Sequence, residues 1–158
     1  MIFIFVLALL LLPVNALAAN CDRWCERCEE YRETVKNTLI NSGVSPDYYY
    51  LMVAESGCKE NAQSAKGALG FWQLTGATAR KYGCANPHDL ECATRAAALY
   101  IRHLEGMFDS FDAVVMAYNM GGHNLKRYGA TREAKALAWT VKRILKCRCL
   151  MEAEKGTK

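Results

Sequence analysis

Apolar residues recur at three- and four-residue steps along most of this chain, and that spacing constrains its fold more than any other feature. Side chains three and four residues apart share one face of an α-helix, whereas a β-strand alternates its faces at every residue. The first such segment spans residues 22–41 and stops at Ser42-Gly43. Its repeating positions are Trp24, Cys28, Tyr31, Val35 and Leu39.

Five further helices are indicated, and strand patterns are nearly absent. One begins with Ser45 as N-cap and Pro46 in the first turn and runs to Glu55. Residues 57–70 are rich in small and polar residues and show no sustained period, which predicts a loop or a small irregular hairpin. The sequence therefore predicts an all-α domain. The remaining predicted helices span residues 75–82, 89–108, 112–118 and 131–147.

The first 19 residues are almost wholly apolar and include the small-x-small pattern Ala16-Leu17-Ala18. We predict a secretory signal peptide over residues 1–18 and a periplasmic or secreted protein. This segment contains no Lys or Arg, so a retained membrane anchor stays open as an alternative, although its short length and Pro13 disfavour a spanning helix. Residues 19–150 would form one domain, and residues 151–158 a charged flexible tail.

All eight cysteines follow the predicted signal peptide, and an even number in an exported chain favours disulfides. Local spacing favours Cys84 with Cys92, which bracket a turn that contains proline. The last two cysteines are too close to bridge each other easily and are expected to bond with the first three. A zinc site made of Cys25, Cys28 and the last two is a disfavoured alternative, and we predict no metal or cofactor. The eight are Cys21, Cys25, Cys28, Cys58, Cys84, Cys92, Cys147 and Cys149.

Glu55 is the candidate acid of the chain. It ends a predicted helix, and Tyr48 and Met52 lie on the same helical face. A carboxyl among aromatic side chains, poorly reached by water, resists ionisation and can donate a proton near neutral pH. Such a group is typical of glycoside cleavage.

Several short motifs surround Glu55 in a fixed order. Together they resemble the soluble-lytic-transglycosylase (SLT) family, whose catalytic domain is goose-lysozyme-like, over about residues 45–145. The resemblance implies a goose-type-lysozyme-like helical domain, all-α or at most α+β, with an irregular loop or hairpin by the cleft. The motifs are Glu55-Ser56-Gly57, Ala62-Gln63-Ser64, Gly67-Ala68, Gly70-Phe71-Trp72-Gln73, Thr78-Ala79 and Ala117-Tyr118-Asn119 with Gly121.

By that resemblance Glu55 is the sole acid/base in the cleavage of peptidoglycan glycan strands. It protonates the glycosidic oxygen between N-acetylmuramic acid and N-acetylglucosamine. It then takes a proton from the muramoyl 6-hydroxyl, which closes to 1,6-anhydromuramic acid. An internal nucleophile removes the need for a second carboxylate close to the first. Two alternatives stay open, a muramidase that uses water and a non-catalytic, disulfide-stapled cell-wall-binding module.

The resemblance also implies substrate-side roles for six residues. Gln73 would bind the N-acetyl sugar, and Tyr118 would point its hydroxyl at the carboxyl of Glu55. Ser64 would assist the 6-hydroxyl, and Ser56 would support Glu55 or merely end the helix. Two more have open alternatives, contact with the sugar or a purely structural role; they are Trp72 and Asn119.

The chain departs from the family pattern at two places. Thr75-Gly76 stands where the family has Met-Pro, so a thioether and a rigid turn are missing. Trp139-Thr140 stands where a late tyrosine is expected, so that hydroxyl is absent or comes from Tyr128. His123 is either a donor to the substrate or a solvent-exposed loop residue.

The formal charge of +4 suits an anionic polymer partner but is ordinary for a soluble domain. We expect peptidoglycan as the partner, with a secretion or conjugation machine as a further candidate. No helix-turn-helix or basic-aromatic cluster indicates nucleic acid. A monomer without stable membrane association after signal removal is expected.

Overall fold

The computed structural model describes the backbone of residues 14–155 and the side chains of residues 26–146. Within that range the chain forms seven α-helices, one short 3-10 turn and one two-stranded sheet, so the predicted all-α class is confirmed. The helices are α1 (Val14–Asn41), α2 (Tyr49–Ser56), α3 (Gly76–Lys81), α4 (Leu90–Glu105), α5 (Phe111–Met120), α6 (Gly122–Tyr128) and α7 (Arg132–Lys155).

Helix α1 follows the predicted apolar stripe. Cys28, Val35 and Leu39 are fully buried, and the ring of Tyr31 packs edge-on against Phe71 with centroids 5.1 Å apart. The side chain of Trp24, which was predicted to belong to this stripe, lies outside the described residues. So do residues 1–13 of the predicted signal peptide. Among the described helices, none combines the length and apolarity needed to cross a membrane.

Helix α2 carries Glu55 in its last turn. Ser45 caps the preceding 3-10 turn (Pro46–Tyr48) as predicted, because its hydroxyl accepts a hydrogen bond from the Asp47 amide at 3.2 Å. The next five residues, 49–53, are all buried, and α2 packs against both α1 and α7. The helix ends at Gly57, which takes the left-handed conformation with φ 60°. A buried helix therefore fixes the position of Glu55.

The segment after α2 is the predicted hairpin. Strand β1 (Ala68–Leu69) pairs antiparallel with strand β2 (Leu74–Thr75). Thr75 ends β2 and also caps α3, because its hydroxyl accepts a hydrogen bond from the Thr78 amide at 3.2 Å. Helix α3 thus follows the hairpin directly, without an intervening loop.

The C-terminal half packs α5 against α4 and α7. Asp89 and Ser110 cap α4 and α5 through their side chains. Helix α6 is not predicted by the sequence pattern. Helix α7 begins where predicted and continues to Lys155, beyond the expected end at residue 147.

Two disulfides join described cysteines. Cys84–Cys92 confirms the local prediction. Cys28–Cys58 joins α1 to the residue just beyond α2 and was not predicted. Because the sulfur of Cys28 is bonded to Cys58, the zinc alternative that used Cys28 is wrong, and only Cys21 and Cys25 are left in the N-terminal cluster to bond with the last two cysteines. Among the described residues no cluster of three or more candidate metal ligands occurs. The side chains of the other four cysteines, Cys21, Cys25, Cys147 and Cys149, lie outside the described residues.

Candidate active site

A cleft of about 430 Å³ lies between the end of α2, the hairpin, the end of α5 and the start of α7. Of the predicted site residues, the structure brings five together there and leaves Ser56 and Trp72 outside the lining. The lining residues are Glu55, Ser64, Ala65, Lys66, Ala68, Gln73, Leu74, Thr75, Thr78, Tyr100, Tyr118, Asn119, Met120, Gly121 and Glu133.

Glu55 is partly buried at the inner side of this cleft. Loss of solvent raises the pKa of its carboxyl from 4.5 to about 8. Within the described part of the chain, no group donates a hydrogen bond to this carboxyl or forms an ion pair with it, so nothing offsets the cost of its negative charge. Glu55 is therefore neutral at neutral pH and able to donate a proton.

Tyr118 lies beside Glu55 but directs its proton elsewhere. Its hydroxyl donates to the carbonyl oxygen of Trp72 at 2.8 Å. Its pKa is raised far above the usual value, first by burial and then by the negative charge that Glu55 carries when ionised. The hydroxyl that was expected to point at the carboxyl of Glu55 therefore holds the hairpin turn instead.

Gln73 combines a structural role with a free acceptor. Its side-chain amide nitrogen donates to the carbonyls of Gly70 and Ala62, at 2.9 and 3.2 Å. These bonds hold the turn in which Gln73 itself takes a left-handed φ of 49°. Among the described residues no donor contacts the amide oxygen, which is the atom left to accept a hydrogen bond from an acetamido N–H.

The two serines differ in placement. The hydroxyl oxygen of Ser64 accepts a hydrogen bond from the Ala68 amide at 3.0 Å, and its own proton faces no described acceptor. Ser56 accepts from the Cys58 amide at 3.1 Å and donates to the Met52 carbonyl at 3.4 Å. Ser64 thus belongs to the cleft, whereas Ser56 ends the helix, as the structural alternative proposed.

Trp72 and Asn119 also differ in placement, one in the core and one in the cleft. Trp72 is fully buried, and its indole N–H donates to the hydroxyl of Thr94 at 2.9 Å. The predicted sugar contact of Trp72 therefore does not fit its position, because a buried polar ring with a satisfied donor belongs to the core. Asn119 is exposed at the end of α5 and lines the cleft.

The two departures from the family pattern have structural outcomes. Thr75 lines the cleft with a small hydroxyl where a thioether was expected. Tyr128 is 70% exposed and is not among the described lining residues, so it does not supply the missing late hydroxyl. Trp139 lies under the guanidinium of Arg143, 4.5 Å from the ring centroid.

Tyr100 and Glu133 are among the cleft residues that the sequence analysis did not identify as site residues. Tyr100 of α4 lines the cleft, and burial raises its pKa to about 12. Glu133 adds a second carboxyl from the first turn of α7. Its position after the N-cap Thr131 looks like ordinary helix initiation, so no local pattern indicates a cleft role.

A helical domain with a buried helix that ends at a carboxyl in a cleft, beside a small hairpin, is typical of lysozyme-like proteins. The family model of the transglycosylase SLT domain matches residues 35–139, which include every described cleft residue. The chain belongs to this family, as the motif resemblance indicated. Membership supports action on peptidoglycan by a lytic transglycosylase or a lysozyme-like enzyme.

Proposed function

We propose that this protein is a peptidoglycan lytic transglycosylase. It cleaves the β-1,4 bond between N-acetylmuramic acid and N-acetylglucosamine and leaves a 1,6-anhydromuramoyl end. The observation that supports this most directly is the isolated carboxyl of Glu55 in an open cleft. Burial raises its pKa to about 8, so the carboxyl keeps its proton at neutral pH.

Glu55 acts first as an acid. Its proton passes to the glycosidic oxygen while the bond between that oxygen and the muramoyl C1 breaks, so N-acetylglucosamine leaves with a hydroxyl. The carboxylate that remains faces the positive charge that develops on C1. Since burial penalises this carboxylate, it is a strong base for the next step.

Glu55 then acts as a base. It takes the proton of the muramoyl 6-hydroxyl as the oxygen of that group attacks C1, which forms the anhydro ring and restores neutral Glu55. No water is consumed, so the two products together have the composition of the substrate. Ser64 and Gln73 line the same cleft with a free hydroxyl proton and a free amide oxygen, both suited to sugar hydroxyl and acetamido groups.

A hydrolytic muramidase is the second candidate, and Glu133 is the observation that favours it. Its carboxyl lines the cleft that contains Glu55. A pair of carboxyls, one acid and one that activates water, is what an inverting glycosidase uses. The two functions differ in the fate of C1, which receives either the internal hydroxyl or water.

Product masses from purified sacculi decide between them. We expect wild-type digests to contain anhydromuropeptides, lighter by one water than the hydrolytic products and resistant to borohydride reduction. Glu55→Gln should lower the rate about 10²- to 10⁴-fold. Reducible ends in place of anhydro ends would contradict the proposal and support the muramidase. Equal rates for both proteins would exclude Glu55 as the acid/base, and no cleavage by either would support the wall-binding module.

The setting follows from the substrate. We propose that the protein acts in the periplasm or outside the cell, as a monomer on glycan strands and without stable membrane association. A secretion or conjugation machine that must pass the wall is the proposed recruiting partner. Fractionation of cells that express the full chain, with and without residues 1–18, tests the location.

A further inference from the structure

A second pocket adjoins the cleft. It has a volume of about 290 Å³ and lies between α3, α4 and the start of α6. Thr78, Tyr100 and Gly121 line both cavities. Because the walls are shared, a substituent on a sugar held in the cleft can extend into this side pocket.

The polar lining of the side pocket is basic. Lys81 of α3, His103 of α4 and His123 of α6 reach it from three separate helices. No Asp or Glu is among its described lining residues. An ammonium group with imidazole N–H donors around it is a set that binds a carboxylate through charge-assisted hydrogen bonds.

A wall of tyrosine rings joins the side pocket to the acid. The ring centroids of Tyr82 and Tyr100 are 5.5 Å apart, and those of Tyr100 and Tyr118 are 5.2 Å apart. The ammonium of Lys81 lies 5.4 Å from the centroid of the Tyr82 ring, at the far end of this wall. The rings offer apolar surface to a chain that runs from the cleft, and the cation lies where that chain would end.

We propose that the side pocket binds a carboxylate carried by the lactyl substituent of the muramic acid unit, chiefly one of the stem peptide. This inference rests on the proposed peptidoglycan substrate. A stem peptide attached at that position carries free carboxylates, and a muramic acid stripped of its peptide ends in the lactyl carboxylate. The pocket recognises the carboxylate that both forms of the substrate carry. It makes cleavage sensitive to the peptide without taking part in proton transfer.

Binding to the full chain with Glu55→Gln tests this without turnover. The ligands are a disaccharide with a tetrapeptide stem, its methyl ester, and the peptide-free disaccharide. We expect Lys81→Gln to weaken binding of the stem-bearing ligand about tenfold by calorimetry and to leave the ester unaffected. His123→Gln, an independent change at an exposed residue, should act in the same direction.

Arg80→Gln is the matched control, because it removes one positive charge from the same helix outside both described cavities. Equal affinities of Lys81→Gln and Arg80→Gln would overturn the proposal, as would a loss that persists with the ester or no measurable binding of the stem-bearing ligand. If Lys81→Gln weakens binding of the peptide-free disaccharide by the same factor, the proposal is supported and the lactyl carboxylate is the group that the pocket binds. Failure of the wild type to yield anhydro ends would reject the proposed function alone.

Discussion

At the scale of single residues, Tyr118 connects the cleft to the hairpin through one buried hydrogen bond. We expect Tyr118→Phe to lower the free energy of unfolding by about 1–2 kcal/mol, because the Trp72 carbonyl loses its 2.8 Å donor. Tyr100→Phe is the control. Its hydroxyl is 3.4 Å from the Ala117 carbonyl, which keeps the Gly121 amide as a donor at 2.7 Å. Urea denaturation of both variants measures the difference, and equal losses would contradict this account.

Glu55 makes stability depend on pH in a defined direction. In the folded chain burial raises its pKa to about 8, above the 4.5 of an exposed carboxyl. Its contribution is therefore fully present below about pH 4.5 and is lost as pH rises through about 8. We expect Glu55→Gln to unfold at nearly the wild-type denaturant concentration at pH 4 and to be more stable at pH 9.

The gain at pH 9 should be on the order of 2 kcal/mol, less than the full pKa shift implies, because the cleft leaves the carboxyl partly in contact with water. Paired urea titrations of wild type and variant across this pH range give the measurement. A stability difference that does not change between pH 4 and pH 9 would show that folding leaves the pKa of Glu55 unchanged.

At the scale of elements, Gly70 fixes the hairpin against the segment before α4. It has φ +69°, and a Cβ there would lie 2.0 Å from the carbonyl oxygen of Pro87. Gly67 has a similar φ of +77° with nothing within 4 Å of the same position. We expect Gly70→Ala to cost about 2–4 kcal/mol and Gly67→Ala about 1 kcal/mol. Thermal unfolding checks the order, and equal costs would mean that the hairpin does not meet Pro87.

The two described disulfides should differ in how much they contribute to the free energy of unfolding. Cys28–Cys58 spans 30 residues and ties α1 to the end of α2, whereas Cys84–Cys92 spans 8 residues. Chain-entropy arguments assign about 3–4 kcal/mol to the longer loop and about 2–3 kcal/mol to the shorter one. We expect the double alanine variant of the first pair to unfold at lower urea concentration than that of the second. The reverse order would contradict the larger contribution assigned to Cys28–Cys58 among the two described disulfides.

At the scale of the whole molecule, periodic segments and capping residues predicted all the described helices except the short helix α6. The stripes of α1 and α4 are long enough to show a helical period, and Ser45 and Asp89 mark helix starts by their capping chemistry. Helix α6 has seven residues and starts at a glycine, so no period can develop. It is held by tertiary packing, since Gly122 is buried where a Cβ would lie 3.0 Å from the Met107 side chain.

The site was predictable where its residues lie in the short motifs that the sequence analysis recognised. Glu55, Ser64 and Gln73 lie within 20 residues of one another and meet in the cleft as the motif order suggested. Tyr100 and Glu133 reach it because α4 and α7 pack back across the chain, and local spacing carries no sign of that contact. Trp72 lies in the core and not in the cleft, because its indole N–H donates a hydrogen bond to Thr94, 22 residues away.

The proposed chemistry requires that the folded molecule as a whole keep the carboxyl of Glu55 neutral near physiological pH. Carbon-13 NMR of protein labelled at glutamate carboxyls measures this directly, with Glu55→Gln to assign the signal and wild type in urea as the unfolded reference. We predict a titration midpoint near pH 8 in the folded chain and near 4.5 in the unfolded one. A folded-state midpoint near 4.5 would contradict the account, because Glu55 would then hold no proton to donate at neutral pH.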